Sequence, residues 1–370
     1  MKCNLLNEID YKRLQNEDDS VPFFCISCVD EIFPFSNSPN QETPNTPTLC
    51  SPLIKTHIAK LNTFLAQSLP QENEDDNEDV ETGYIHSPIN CQYYEPQEFN
   101  EANFDPAKSY SIFHLNIHSI TRHIDKLRTL LTELNFDFDI IAITESKLKS
   151  NSEPAIDINI ENFHPPVNTP SVAEKGGVLL YINKRITDFK LRPDLNNKMY
   201  EDKTLESTFI EIHNQKSSND IIGVIYRHPS MELETFNDSH LRPLMDTLSL
   251  EKNKNVYIAG DFNVNLLNIS HHTVSSDFFN ILCSNHLLPS ISLPTKLNNS
   301  GNHTLIDNIY MNVFNPDIIS GNIVFDVSDG HLPSFVIIPK SNHNHLPKKH
   351  NFYKRSLKRI STQKTTTSRL

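Results

Sequence analysis

Between residues 109 and 340 the chain has a single cysteine, Cys283, and its other five cysteines all fall before residue 92. A segment that long with one thiol is not held by disulfides, which excludes a disulfide-framed secreted domain and favours a reducing, intracellular compartment. No run approaches the roughly 20 apolar residues of a membrane span, and the N-terminus lacks the apolar core of a signal peptide. The chain therefore reads as soluble, with no membrane partner. Basic residues are also scarce until the very end. Residues 1–108 carry 6 Lys and Arg against 19 Asp and Glu, and residues 109–340 carry 19 against 27. The last thirty residues carry 8 and no acid, so the net charge of −13 conceals a basic tail. That tail either contacts nucleic acid phosphates or is an ordinary solvated end.

What is present falls into blocks. Residues 36–108 mix "SNSPNQETPNTPTLCSP" with the acidic "QENEDDNEDVE", which offer too little apolar surface to offset ordering entropy, so this block is expected to be a largely disordered linker. From Tyr110 the pattern changes to apolar strands alternating with helices. Strands are expected at "YSIFHLNI", "FDIIAITES", "GGVLLYI", "STFIEIHN", "IIGVIYR", "NVYIAGD", "LIDNIYMN" and "HLPSFVIIP". "TRHIDKLRTLLTELN" sets Ile124, Leu127, Leu131 and Leu134 on one helical face, and further helices are expected near 234–250 and 275–287. Many strands with few helices suggest an α/β protein of two packed sheets with helices outside.

Nearly every strand ends on polar residues. In "KNVYIAGDFNVNLL" the strand is expected to run from Asn255 to Ala259 and break at Gly260, with Asp261 and Asn263 following on one face of an extended stretch. Elsewhere the ends offer Asn116 and His118, Glu145, Tyr226 with Arg227 and His228, Asp307, and Asp329 with His331. Singly each has an ordinary reading as a turn residue, a core cap or a backbone partner. Together, if the ends share one edge, they make a site. Carboxylates and amide oxygens suit a hard cation such as Mg²⁺, and no thiolate or multi-histidine set for structural zinc occurs in this region. A histidine with an aspartate to orient it, a tyrosine and an asparagine suit attack of water on a phosphodiester.

The motifs "LNIHSI", "DIIAITESKL", "GGVLLYI", "GVIYRHPS", "AGDFNVNLL", "TLIDNIYMN" and "SDGHLPSFVII", in this order over 109–340, resemble the endonuclease/exonuclease/phosphatase superfamily. Within it they are most similar to the apurinic-type endonuclease domain of non-LTR retrotransposons. The resemblance implies a four-layered sandwich of two mixed β-sheets flanked by helices. It implies Glu145 as the main metal ligand with Asn116 and Asp329, binding Mg²⁺ or Mn²⁺. Asp261 would act on the attacking water or leaving oxygen, oriented by Asn263; His331, oriented by Asp307, and Tyr226 would contact the phosphate. The expected activity is DNA strand nicking that leaves a 3′ hydroxyl, in the nucleus. The alternatives are a phosphatase or phosphodiesterase of the same superfamily, or an inactive degraded copy that at most binds nucleic acid.

Departures from the family pattern are specific. His118 stands where repair-type relatives carry an acid. The family's adjacent Asp–His is split here by Gly330, as "SDGH". One extra residue in extended chain moves the next side chain by about 3.3 Å and to the opposite face. Alternatively, glycine forms a bulge that returns both side chains to one site. Residues 1–35 resemble the last part of a PHD-type zinc finger, with Cys3, Cys25 and Cys28 at ligand positions, too few for a complete site. Residues 341–370 form the basic tail, and no reverse transcriptase motif follows, so the resemblance suggests a fragment of a retroelement protein.

Overall fold

The computed structural model describes residues 90–149, 156–170, 176–215, 217–297, 303–313, 315, 317–328 and 330–340. Cys3, Cys25, Cys28, the basic tail and Asp329 lie outside the described residues, as does the expected linker before residue 90.

Strands β1 (Asn90–Tyr94), β12 (Ile319–Ile323), β13 (Ser334–Pro339), β2 (Ser109–Asn116), β3 (Ile140–Thr144), β5 (Val178–Ile182) and β4 (Val167–Thr169) form a seven-stranded sheet in that spatial order. A six-stranded sheet runs β10 (Leu288–Pro289), β11 (Asp307–Met311), β9 (Asn255–Asp261), β8 (Asp220–Arg227), β7 (Leu205–Ile212) and β6 (Phe189–Leu191). Both are mixed: β1 with β12, β2 with β3, and β8 with β9 are parallel, and all other pairs are antiparallel. The longer helices are α2 (Ile120–Leu134) and α6 (Thr273–Ser284); α1 (Pro96–Glu101), α3 (Pro193–Asn196), α4 (Leu233–Phe236) and α5 (Arg242–Leu248) are short.

The period of two in each strand builds the layers. Ile112, Ala142 and Leu180 face Ile210, Val224, Ala259 and Ile309 in one buried cluster between the sheets. Their neighbours Phe113, Leu115, Ile141 and Ile143 point outward onto Ile124, Leu127 and Leu130 of α2. On the far side Ile221, Ile225, Val256 and Ile258 meet Phe236, Leu244, Phe278 and Leu282 of α4, α5 and α6. The result is the expected helix–sheet–sheet–helix sandwich. A one-residue slip in any central strand would exchange its inner and outer sets, so the register is firmly specified.

Four details differ from the sequence reading. The helical face of α2 buries Leu130, with Leu131 only partly covered. The helix expected over 234–250 carries a π segment at Asn237–Leu241 between α4 and α5. Pro243 has no N–H to give the preceding turn, which widens there. Gly260 does not end its strand: β9 continues to Asp261, and a Cβ at Gly260 would lie 2.0 Å from the Ile225 carbonyl oxygen, so glycine is what lets β9 lie close to β8. Residues 90–108 are not linker. The acids Glu95, Glu98, Glu101 and Asp105 mask four aromatics, and Phe99 packs edge-on to Phe104, Phe136 and Phe335 at 5.0–5.7 Å.

At the end of the six-stranded sheet where β7 finishes, the buried Glu211 carboxylate meets Lys254 at 2.7 Å, Arg192 at 3.0 Å and Lys190 at 3.6 Å. Burial pushes its carboxyl up, but the Lys254 and Asn219 hydrogen bonds and the lysine charges outweigh this and draw it from 4.5 down to about 2. With the folded value below the unfolded one, this contribution is fully present above pH 4.5 and is lost as the pH falls from 4.5 towards 2. Glu211→Gln should therefore lower the thermal midpoint at pH 7, with a loss of about 1–3 kcal/mol, because Lys254 and Arg192 keep Glu251 as a partner. Calorimetry should show the gap to wild type closing at acid pH.

Candidate active site

The alternation that points Ile112 at the opposing sheet also points His114 and Asn116 into the same interlayer. Tyr226 continues from Ile222 and Val224, and Asp261 from Tyr257 and Ala259. Parallel pairing of β2 with β3 and of β8 with β9 brings Asn116, Glu145, Tyr226 and Asp261 to one end. Antiparallel pairing adds the beginnings of β11 and β13: Asp307 lies opposite Asp261, and Ser334 opposite His114. Six of the sequence-predicted residues thus meet where the apolar interlayer stops.

Three contacts cross between the sheets. Asn116 Nδ2 donates to Asp261 Oδ2 (2.8 Å), Tyr226 OH donates to Glu145 Oε1 (3.3 Å), and His331 Nδ1 donates to Asp307 Oδ2 (2.9 Å); within the seven-stranded sheet, Asn116 Nδ2 also donates to Glu145 Oε1 (3.0 Å). The orientation of the Asn116 amide is determined by its partners. Its Oδ1 accepts from the His118 backbone N–H (3.1 Å), which can only donate, so the NH₂ must face the carboxylates. The Asn116 amide thus joins two acids through its nitrogen, and its oxygen keeps a second lone pair.

On its outer side Glu145 Oε2 accepts from His118 Nδ1 (3.1 Å) and lies 3.7 Å from Lys147 Nζ. Lys147 Nζ is also 3.2 Å from His118 Nε2, and since the ammonium only donates, Nε2 is the acceptor and Nδ1 carries the proton given to Glu145. The imidazole therefore links a lysine to the carboxylate. His118, Glu145 and Lys147 all take positive φ, of 51°, 51° and 55°. Non-glycine residues there cost on the order of 1–3 kcal/mol each, and such strain clusters at functional sites. Here the Ser146 and Lys147 N–H groups are tied to the Gly177 and Gly176 carbonyls (3.0 and 2.9 Å), which hold the segment in place.

Asn263 departs from the expected extended stretch. After Asp261 the chain turns, with Asn263 at φ 50°, its N–H donating to Asp261 Oδ1 (2.9 Å) and its Nδ2 donating to the Arg227 carbonyl (2.7 Å). Asp261 and Asn263 are coupled through this local turn and not by strand alternation. Arg227, one of the polar strand-end residues, is buried, with its guanidinium donating to the carbonyls of Phe262 (2.6 Å), Asn263 (2.9 Å) and Met231. Arg185 pairs with Asp139 (2.7 Å) at the opposite end of β3.

Gly330 settles where His331 goes. Ser328 O accepts from His331 N (3.0 Å), closing a four-residue turn with Gly330 in its third position at φ 81°. That position in such a turn requires positive φ and favours glycine. The inserted residue is absorbed in the turn, and the imidazole reaches Asp307. Ser328 also donates to the Asn116 carbonyl at 2.5 Å.

Charge in this pocket is uneven. Burial, followed by the neighbouring Asp307, pushes the Asp261 carboxyl from 3.8 up to about 7, with His331 partly opposing. Burial would raise Asp307 too, but the His331 charge and hydrogen bond outweigh it and keep that carboxyl low. Burial lowers His331, and Asp307 more than reverses this, so the imidazole is held above its ordinary value. For Glu145 burial is likewise outweighed by the Asn116 hydrogen bond and by His118 and Lys147 beside it, leaving it low. Burial beside Glu145 and Asp261 keeps Tyr226 protonated.

Two residues were not anticipated. Thr295 Oγ1 donates to Asp307 Oδ2 (2.8 Å) and accepts from the Asp307 N–H (3.1 Å), and nothing in "LPTKL" signals this. His114, fully buried beneath the pocket and drawn to about 4 by burial, shares the strand face of Asn116; the period of two could have identified it.

For a cation, Asp261, Asp307 and His331 offer buried ligand atoms within 4.8 Å of one another, and Asp307 Oδ1 has no hydrogen-bond partner among the described residues. With Glu145 alongside, this oxygen-rich set fits a hard divalent ion. No helix among the described residues is long and apolar enough to cross a membrane.

An apurinic endonuclease from Leishmania major superposes with a TM-score of 0.50 at 14% identity, over 65% of this chain and 91% of that one. The chain has the endonuclease/exonuclease/phosphatase fold. The endonuclease domain of TRAS1, a telomere-specific non-LTR retrotransposon, gives a TM-score of 0.46 at 11% identity over 63% of this chain and 99% of that one. The 3′ phosphatase NExo from Neisseria, bound to a product DNA hairpin, gives 0.46 at 15% over 62% and 99%. No protein-family model and no curated protein sequence matches the chain. At these identities the likeness is one of fold.

A Cβ at Gly330 would lie 2.5 Å from the Leu297 carbonyl oxygen, in a conformation L side chains rarely adopt. Gly330→Ala should cost about 1–3 kcal/mol in urea unfolding and loosen the His331–Asp307 pair.

Proposed function

We propose that the chain is a divalent-cation-dependent DNA endonuclease of the retrotransposon type, which hydrolyses one strand and leaves a 3′ hydroxyl. The observation that carries this reading is the convergence of Asn116, Glu145, Tyr226, Asp261, Asp307 and His331 at one end of the interlayer, with contacts that cross both sheets. The order of the sequence motifs supports DNA as substrate.

A carboxyl near 7 in a buried site is suited to taking a proton from water at neutral pH, and Asp261 has that character. Its Oδ1 is aimed by the Asn263 N–H and its Oδ2 by the Asn116 amide. His331 uses Nδ1 on Asp307, which leaves Nε2 to donate to a phosphate oxygen, and its raised proton affinity keeps it charged for that task. Tyr226 remains a donor. Glu145, with the Asp307 Oδ1 that has no hydrogen-bond partner among the described residues, would hold Mg²⁺ or Mn²⁺, which when bound neutralises phosphoryl charge and acidifies water. Water's oxygen bonds to phosphorus on the face away from the departing 3′ oxygen.

With Mg²⁺ and supercoiled plasmid, the purified full chain should produce nicked circles. Asp261→Asn and Glu145→Ala should each reduce the rate by about 10²- to 10⁴-fold. Equal nicking by the variants, or turnover of phosphoinositides with duplex DNA left intact, would sink this reading.

A further inference from the structure

Strand β1 precedes the part of the sequence that carries the nuclease-like motifs, yet it reaches towards the Asp307–His331 pair. It lies on the edge of the seven-stranded sheet, parallel to β12, with Tyr94 O accepting from Val324 N (2.8 Å). The buried Tyr93 hydroxyl donates to the Pro294 carbonyl (3.0 Å), and Asn322 Nδ2 on β12 donates to the same oxygen (3.1 Å). Around this contact Tyr93, Leu293, Val324 and Leu332 form a small apolar cluster of their own.

The Pro294 carbonyl is one end of a planar peptide whose other end is the Thr295 N–H. That N–H donates to the Thr304 carbonyl (2.9 Å), so the plane is pinned at both ends. The direction in which Thr295 leaves it is then fixed. Thr295 Oγ1 donates to Asp307 Oδ2, the same oxygen that receives the His331 Nδ1 proton, and Thr295 O accepts from the N–H of Leu332, next to His331 (2.7 Å). A continuous chain of bonds therefore runs from the Tyr93 hydroxyl, through one peptide and one threonine, to both members of the pair.

We propose that Tyr93 is a positioning residue for the Asp307–His331 pair, so that β1 is part of the catalytic apparatus and not merely a cover for the sheet edge. For catalysis this rests on the hydrolytic reading above; for geometry it does not. A hydroxyl buried at 3.0 Å from a carbonyl that Asn322 already serves adds little to edge covering, which the tyrosine ring alone would provide. Its added effect is to restrict the 294–295 peptide, and small displacements of catalytic groups are costly in rate.

The test uses the full chain and Tyr93→Phe, which keeps the ring and removes only the hydroxyl. Three quantities are measured: the NMR resonance of the His331 Nδ1 proton, kcat and KM for plasmid nicking, and the thermal midpoint. The resonance should move or broaden, and kcat should fall by about tenfold with KM unchanged and the fold retained. Thr295→Val, one step nearer the pair, should do the same more strongly, and Thr295→Ser should restore it. An unmoved resonance with wild-type kcat in Tyr93→Phe would overturn the proposal. So would a fall in activity that only follows the unfolded fraction. Should the wild-type chain nick nothing, the hydrolytic reading fails, and the resonance alone decides: a shift upholds the positioning and an unmoved signal overturns it.

Discussion

Everything at the site depends on one amide. The ends of two sheets bring Glu145, Asp261 and Asp307 together with Asp261 and Asp307 buried, and like charges at such a place repel strongly. Asn116 donates from a single nitrogen to acids on opposite sheets, while His331 answers Asp307 and Lys147 with His118 answers Glu145. Each acid has a different set of partners. That inequality holds Glu145 and Asp307 ionised while Asp261 keeps a proton affinity near neutrality. Three carboxylates close together would otherwise be a defect; with unequal partners they become three distinct tools.

The frame makes this arrangement possible by being insensitive to it. Inner and outer apolar sets lock every central strand in register, so the strand ends cannot slide to relieve repulsion or strain. Left-handed backbone at His118, Glu145, Lys147 and Asn263 is tolerated because N–H groups of these turns donate to the Gly176 and Gly177 carbonyls, Asp261 Oδ1 and Asn116 Oδ1.

Much of the architecture was legible because it rests on local periodicity. Strand positions, the two-sheet sandwich and the convergence of polar strand ends all follow from runs such as "DIIAITES" and "NVYIAGD". What was not legible depends on distant partners. The amide direction of Asn116 is set by a backbone N–H two residues on, the place of Arg227 by three carbonyls, and the importance of Thr295 by a strand twelve residues later. Gly260 was misread as a strand end because its reason for being glycine is the neighbouring strand. Strand β1 was hidden by the acids around it. Gly330 left two outcomes open in sequence, and only the turn closed from Ser328 to His331 distinguishes them.

Because β1 covers the outer side of β12, a chain trimmed to begin at residue 109, where the recognisable motifs start, would bare a full row of unpaired backbone donors and acceptors along Ile319–Ile323. An open rim of that kind is a template for joining one molecule to the next. Fragments cut at the motif boundary are thus prone to stick to each other, and the sensible place to cut lies upstream of Asn90.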